Sequence, residues 1–133
     1  MNERLSFLDS FTTDELHALA ELYFVAARHT DTGGGSTCAK LLLGLYNGER
    51  FPFDLTDLRR LDGRNLNHAM TVIRMDASRC RAEVHVLLRL VLEDPTVQAR
   101  MECWAYDLGL KGRAKKADVE EQRAILGRKA VQR

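Results

Sequence analysis

Apolar side chains return every three or four residues along almost the whole of this chain, and that period dictates helices. Between Thr12 and His29 the recurring positions are Leu16, Leu19, Tyr23 and Ala26, with Ala20, Leu22 and Ala27 widening the stripe. Thr12 stands three residues before Glu15, the spacing at which a hydroxyl and a carboxylate cap a helix start reciprocally. Leu5, Phe7, Leu8 and Phe11 form an apolar lead-in.

Glycine, proline and capping residues punctuate the pattern. Gly33-Gly34-Gly35 is expected to break the helix, because each glycine costs about 1 kcal/mol relative to alanine. Ser36 or Thr37 then caps a second helix to about Asn47, with Cys38, Leu41, Leu42 and Leu45 inward, and Asn47-Gly48 stops it by tolerating positive φ. Phe51-Pro52-Phe53 reads as extended, and Asp54 caps a short helix carrying Leu55, Leu58 and Leu61. Asp62-Gly63 turns the chain into a fourth helix, about Arg64 to Asp76, that buries Leu66, Met70 and Ile73 beside Ala69 and Val72. Ser78 is read as the cap of a fifth helix. Its run Val84 to Leu92 is apolar almost all round, which places it mid-bundle; a strand there would have no partner. Asp94-Pro95 opens a sixth helix with Val97, Met101, Trp104 and Leu108 inward, ended by Gly109. Beyond Leu110, Val119, Ile125, Leu126 and Val131 make a weak stripe for a seventh helix, docked or projecting. The expected fold is all-α: a compact orthogonal bundle of five to seven helices over residues 1–110, with a basic C-terminal segment over 111–133.

A chain of 133 residues, 45% apolar, supports one packed core. Its net charge of +1 hides an asymmetry. Up to Leu110 there are 12 basic and 16 acidic residues; from Lys111 onward there are 8 and 3. Cys38, Cys80 and Cys103 are odd in number and set among apolar neighbours, which reads as buried reduced thiols. No secretory signal and no apolar run of about 20 residues is visible, so a cytoplasmic protein with no membrane contact is expected.

The stretch DTGGGSTCAK followed by LLLGLYNGERFPFDLTDLRRLD resembles a family of short, uncharacterised bacterial proteins carried on proteobacterial plasmids, integrative elements and prophages. The resemblance rests on Ala39, Leu42, Leu43, Tyr46 and Asn47, then Phe53, Asp54, Leu55, Thr56, Asp57, Leu58 and Asp62, about a third of the chain. It implies a mobile-element setting and no chemistry. The motif has two readings. It is a folding element, in which Asp54 and Asp57 oppose a helix dipole, Phe53 staples against Leu58 and Asp62 caps the next helix. Or it is a surface partner site around Tyr46, Phe51, Phe53 and Asp57.

Catalytic patterns are missing. The glycine loop near Lys40 invites a phosphate, but no G-x-x-x-x-G-K-S/T pattern follows a strand, and a flexible connector is the plainer reading. His17 with Glu21, and Cys80 with His85, are pairs where zinc requires three or four ligands. No G-x-S-x-G-like signature joins a nucleophile to a base. No metal, cofactor or enzymatic activity is expected.

The sequence therefore points to a small binding or regulatory protein of a mobile element or phage, acting by protein–protein contact. Inhibition of a host defence complex is one concrete form, and an exposed Phe51/Phe53 patch or a free tail helix leaves a homodimer open. The alternative is a DNA-binding regulator. Residues 55–76 have the order of a helix-turn-helix, with Arg64, Asn65, Asn67 and Arg74 on the second helix, and the tail offers Lys111, Arg113, Lys115 and Lys116 to phosphate. Against it, Asp54, Asp57 and Asp62 would lie near phosphate, Arg59 replaces a small buried residue, and the tail has no aromatic side chain to stack on bases. An enzyme with a site near the glycine loop ranks third.

Overall fold

The computed structural model describes residues 7–79 and 82–132. Leu5 and Cys80 lie outside the described residues, as do the side chains of Arg128, Lys129, Val131 and Arg133. The chain is all-helical, with no strand among the described residues. Its elements are α1 (Thr13–Arg28), α2 (Gly33–Tyr46), the 3-10 helix η1 (Leu55–Arg60), α3 (Gly63–Arg79), α4 (Val84–Leu92), α5 (Val97–Asp107) and α6 (Lys116–Gln132).

Helix α1 is the hub. It starts with the expected capping box: the Thr12 hydroxyl accepts from the Glu15 amide, and the Glu15 carboxylate accepts from the Thr12 amide. Ala18, Leu19, Leu22, Tyr23 and Ala26 are buried on it, against α2, α3 and α4. Helix α2 is enclosed on most sides, burying Thr37, Cys38, Ala39 and the run Leu41–Leu43. It touches α5 and η1 as well as α1, α3 and α4. Each buried leucine withdrawn from water contributes roughly 2 kcal/mol.

Several sequence expectations are corrected. The three glycines do not break the chain; they are the first turn of α2. Thr32, not Ser36 or Thr37, is the cap, its hydroxyl accepting from the Gly35 amide at 3.0 Å. First-turn amides have no intrahelical acceptor in any case, and one of the glycines is demanded by packing. A Cβ on Gly35 would lie 1.7 Å from the His29 carbonyl oxygen, so α2 can leave α1 this closely only with glycine there. Asn47 ends α2 in extended conformation, φ −158°, and does not use positive φ. Ser78 belongs to the last turns of α3, where its hydroxyl donates to the Arg74 carbonyl; α4 starts later, behind Glu83. Nor is α4 the middle of the bundle. With nine residues it buries Val84, Leu87 and Leu88 and leaves Val86, Leu90 and Val91 half-exposed. Met70 points outward at 52% exposure, and Met75 takes the inner place. Asp94 closes a turn onto Thr96, and α5 begins at Val97.

Other boundaries match. Asp54 caps η1 through the Thr56 amide, Asp62 accepts from the Asn65 amide, and Gly109 ends α5 with φ +66°. Helix α6 docks on α5 through the buried Val119 and an ion pair of Arg123 with Asp107. The matched pair Gly35→Ala and Gly33→Ala separates close packing from helix propensity. Urea unfolding is expected to show a loss of about 3 kcal/mol for the first, because backbone must move. The second, with open space around its Cβ, should gain about 0.5 kcal/mol.

Candidate functional site

The strap Phe51-Pro52-Phe53 crosses the bundle between α2 and η1, and a part-buried ion pair holds it there. Arg50 meets the Glu102 carboxylate of α5 bidentately, Nη1 to Oε2 and Nη2 to Oε1, both 2.7 Å. Its Nε donates to the Gly112 carbonyl at 3.0 Å, and its guanidinium lies 4.6 Å above the Phe51 ring. A Cβ on Gly112 would lie 2.1 Å from the Arg50 carbonyl oxygen, so glycine lets the two segments touch. The Tyr46 hydroxyl donates to Glu102 at 2.6 Å and accepts from Gln98 at 3.0 Å. Glu102 is thus 6% exposed and fully engaged. Burial pushes its carboxyl up, but the hydrogen bonds from Arg50 and Tyr46 and the guanidinium charge outweigh that and hold it below its ordinary 4.5.

The strap separates two hollows. The first, about 250 Å³, is lined by Lys40 of α2, by Arg50 and the strap, by Asp54 and Asp57, and by Leu110 and Lys111. The second, about 230 Å³, is apolar: Leu41, Gly44, Leu45 and Ile73 face the other side of the strap, with Leu55 at its edge. Leu55 is 72% exposed, a large apolar side chain left in water. Met70, three residues before Ile73 on α3, is a second large apolar side chain left in water.

Of the predicted partner residues, Phe51, Phe53 and Asp57 come together around the first hollow, and Tyr46 lies behind Phe51, its ring stacked at 6.5 Å. Phe51 corrects the expected exposed patch. It is 3% exposed and serves as floor, while Phe53 is half-buried. Sequence reasoning missed Arg50, Glu102, Gly112 and Leu55, and placed Lys40 with the glycines when it faces the strap instead. A glutamate amid Met101, Cys103 and Trp104 was the available signal.

The predicted nucleic-acid residues fall in two places. On α3, Arg64 is 3.6 Å from Glu21, the Asn65 amide donates to Asp62, and Asn67 and Arg74 are exposed. Lys111, Arg113, Lys115 and Lys116 gather around an open concavity beside Tyr106. His17 lies edge-on to His68 at 5.6 Å, and no group of three His, Cys, Asp or Glu among the described residues is placed to hold a metal. Burial pushes the Cys38 thiol up to about 11, with Asp62 adding to it, and raises Cys103 as well. No helix among the described residues is long and apolar enough to cross a membrane.

The class is therefore an all-α bundle with a strap pinned across two hollows. Residues 16–105 match the model of a family of unknown function (DUF7673), and the chain belongs to that family. The match contains the strap, Arg50 and Glu102, and stops before Lys111 and the basic segment. No curated protein and no solved structure matches the chain.

Arg50→Ala leaves Glu102 as a buried carboxylate with one of its three donors, and should cost about 3 kcal/mol at pH 7 in urea unfolding. The sign with pH follows from the depressed carboxyl. In the native protein the pair's contribution is complete above 4.5 and is lost as pH falls through the lower folded value. The difference between native protein and variant should shrink correspondingly in acid.

Proposed function

We propose that this protein is a non-enzymatic binding protein of a bacterial mobile element or phage, acting in the cytoplasm through protein–protein contact at the strap. One observation carries the reading: a large apolar side chain, Leu55, stands in water at the rim of an apolar hollow whose other wall is pinned from beneath. Exposed apolar surface beside a rigid, pre-formed concavity favours partner docking. The mobile-element setting rests on the sequence resemblance, within which inhibition of a host defence complex is one form of the same contact.

The test is affinity capture from bacterial host lysate with the native chain and with Leu55→Asp, each checked for an unchanged unfolding transition. A partner retained by the native chain and lost with Leu55→Asp supports the proposal. Equal recovery by both, or enrichment of nothing by either, overturns it.

A second reading has its own observation. The basic segment lacks aromatics, yet the fold brings Tyr106 beside Lys111, Arg113, Lys115 and Lys116, the combination that binds nucleic-acid backbone and bases. Four phosphate contacts predict that log affinity for duplex DNA falls with log salt at a slope of roughly −3 to −4. An anisotropy titration at two salt concentrations measures it. Replacement of the four cations by alanine should abolish binding, and absence of binding at low salt rejects the reading.

A further inference from the structure

Two lysines share a hollow at the strap with two aspartates. Lys40 and Lys111 line the same hollow, and neither has a hydrogen-bond or ion-pair partner among the described residues. The other charges there are engaged. Arg50 is spent on Glu102, and one Asp54 oxygen accepts from both the Thr56 amide and hydroxyl, at 2.9 and 2.8 Å. Asp57 faces Arg60 at 3.8 Å. The Thr56 donors leave Asp54 charged, so Lys40 and Lys111 against this one carboxylate give the hollow a net charge of +1, in a lining that includes Phe51, Pro52 and Phe53. Across the strap the second hollow offers apolar walls and no lining charge.

Size narrows the occupant. Each hollow is below the roughly 300–1,000 Å³ of a small-molecule site. Two small hollows of opposite character on either side of one strap suit separate side chains of a single segment. We infer that the strap takes a short acidic segment of a partner protein, its carboxylates between Lys40 and Lys111 and an adjoining large apolar side chain in the hollow beside Leu55. The inference rests on the protein-contact reading and names the chemistry of that partner. Charge complementarity at the first hollow sets the segment's orientation, and the apolar anchor supplies affinity.

The experiment uses the full chain and four capped octapeptides, followed by amide chemical shifts in NMR titration. The first peptide is acetyl-Gly-Ser-Glu-Glu-Leu-Phe-Gly-Ser-amide. The others replace its Glu-Glu by Gln-Gln, its Glu-Glu by Lys-Lys, or its Leu-Phe by Ala-Ala. The expected result is saturable shifts around residues 40, 51–57 and 111 with the first peptide, weakened by added salt. Lys40→Glu with Lys111→Glu should weaken it by about ten-fold, as should each altered peptide. Equal binding of the Gln-Gln peptide, preference for the Lys-Lys peptide, indifference to the lysine reversals, or no binding of the first peptide overturns the inference. So does N-acetyl-leucine binding as tightly as the peptide, which would make the hollows a small-molecule site. The same lysine variant in the lysate capture keeps the two failures apart. A partner lost with Leu55→Asp but kept with the lysine reversals leaves the contact reading standing and removes the acidic segment. A partner kept with both removes both.

Discussion

The pairing of Arg50 with Glu102 joins parts of the molecule that 52 residues of sequence keep apart. Around it are arranged the end of α2 through Tyr46, the strap through Phe51, helix α5 through Glu102 itself, and the turn before α6 through Gly112. A buried carboxylate is tolerable here because three donors, two N–H groups of Arg50 and the Tyr46 hydroxyl, engage its oxygens. Well-packed apolar residues would hold such a region about as firmly. What a bidentate ion pair adds is direction: it admits one placement of the 47–54 connection and so one shape for the hollows on either side.

That arrangement divides labour between the two ends of the molecule's order. Helices α1 and α2 supply the enclosed centre, and their apolar faces are consumed by packing. The strap lies on this base with Phe51 turned inward and Phe53 half-covered, so the surface above it is shaped by groups that cannot move without exposing core. Leu55 and the two lysines stand at the rim, outside that network. A pre-formed concavity with free groups at its edges lowers the ordering cost of binding, which is the physical basis for reading the strap as a contact surface.

Much of the fold was legible because its signals are local. The Thr12/Glu15 cap, the Asp54 and Asp62 caps and the Gly109 stop each depend on residues within a turn of one another. The expectations that failed depended on neighbours across space. Gly33–Gly35 read as a break because propensity counts each glycine's cost and cannot see the His29 carbonyl that Gly35 must pass. Val84–Leu92 read as central because an apolar run carries no information about its own length limit or about which side stays wet. Of the site, the motif around Phe53, Asp54 and Asp57 was visible, whereas Glu102 and Lys40 were visible as residues but not as members of it.

By itself the amino-acid sequence determined an all-helical chain, its main turns and the asymmetric distribution of charge, because helical period and capping act within a few residues. The tertiary structure alone decided that Arg50 would find Glu102, that Phe51 would be floor and Leu55 rim, and that two lysines 71 positions apart would share one hollow. Those outcomes follow from which helix faces are buried against each other, a choice made by the whole core at once and written in no single segment.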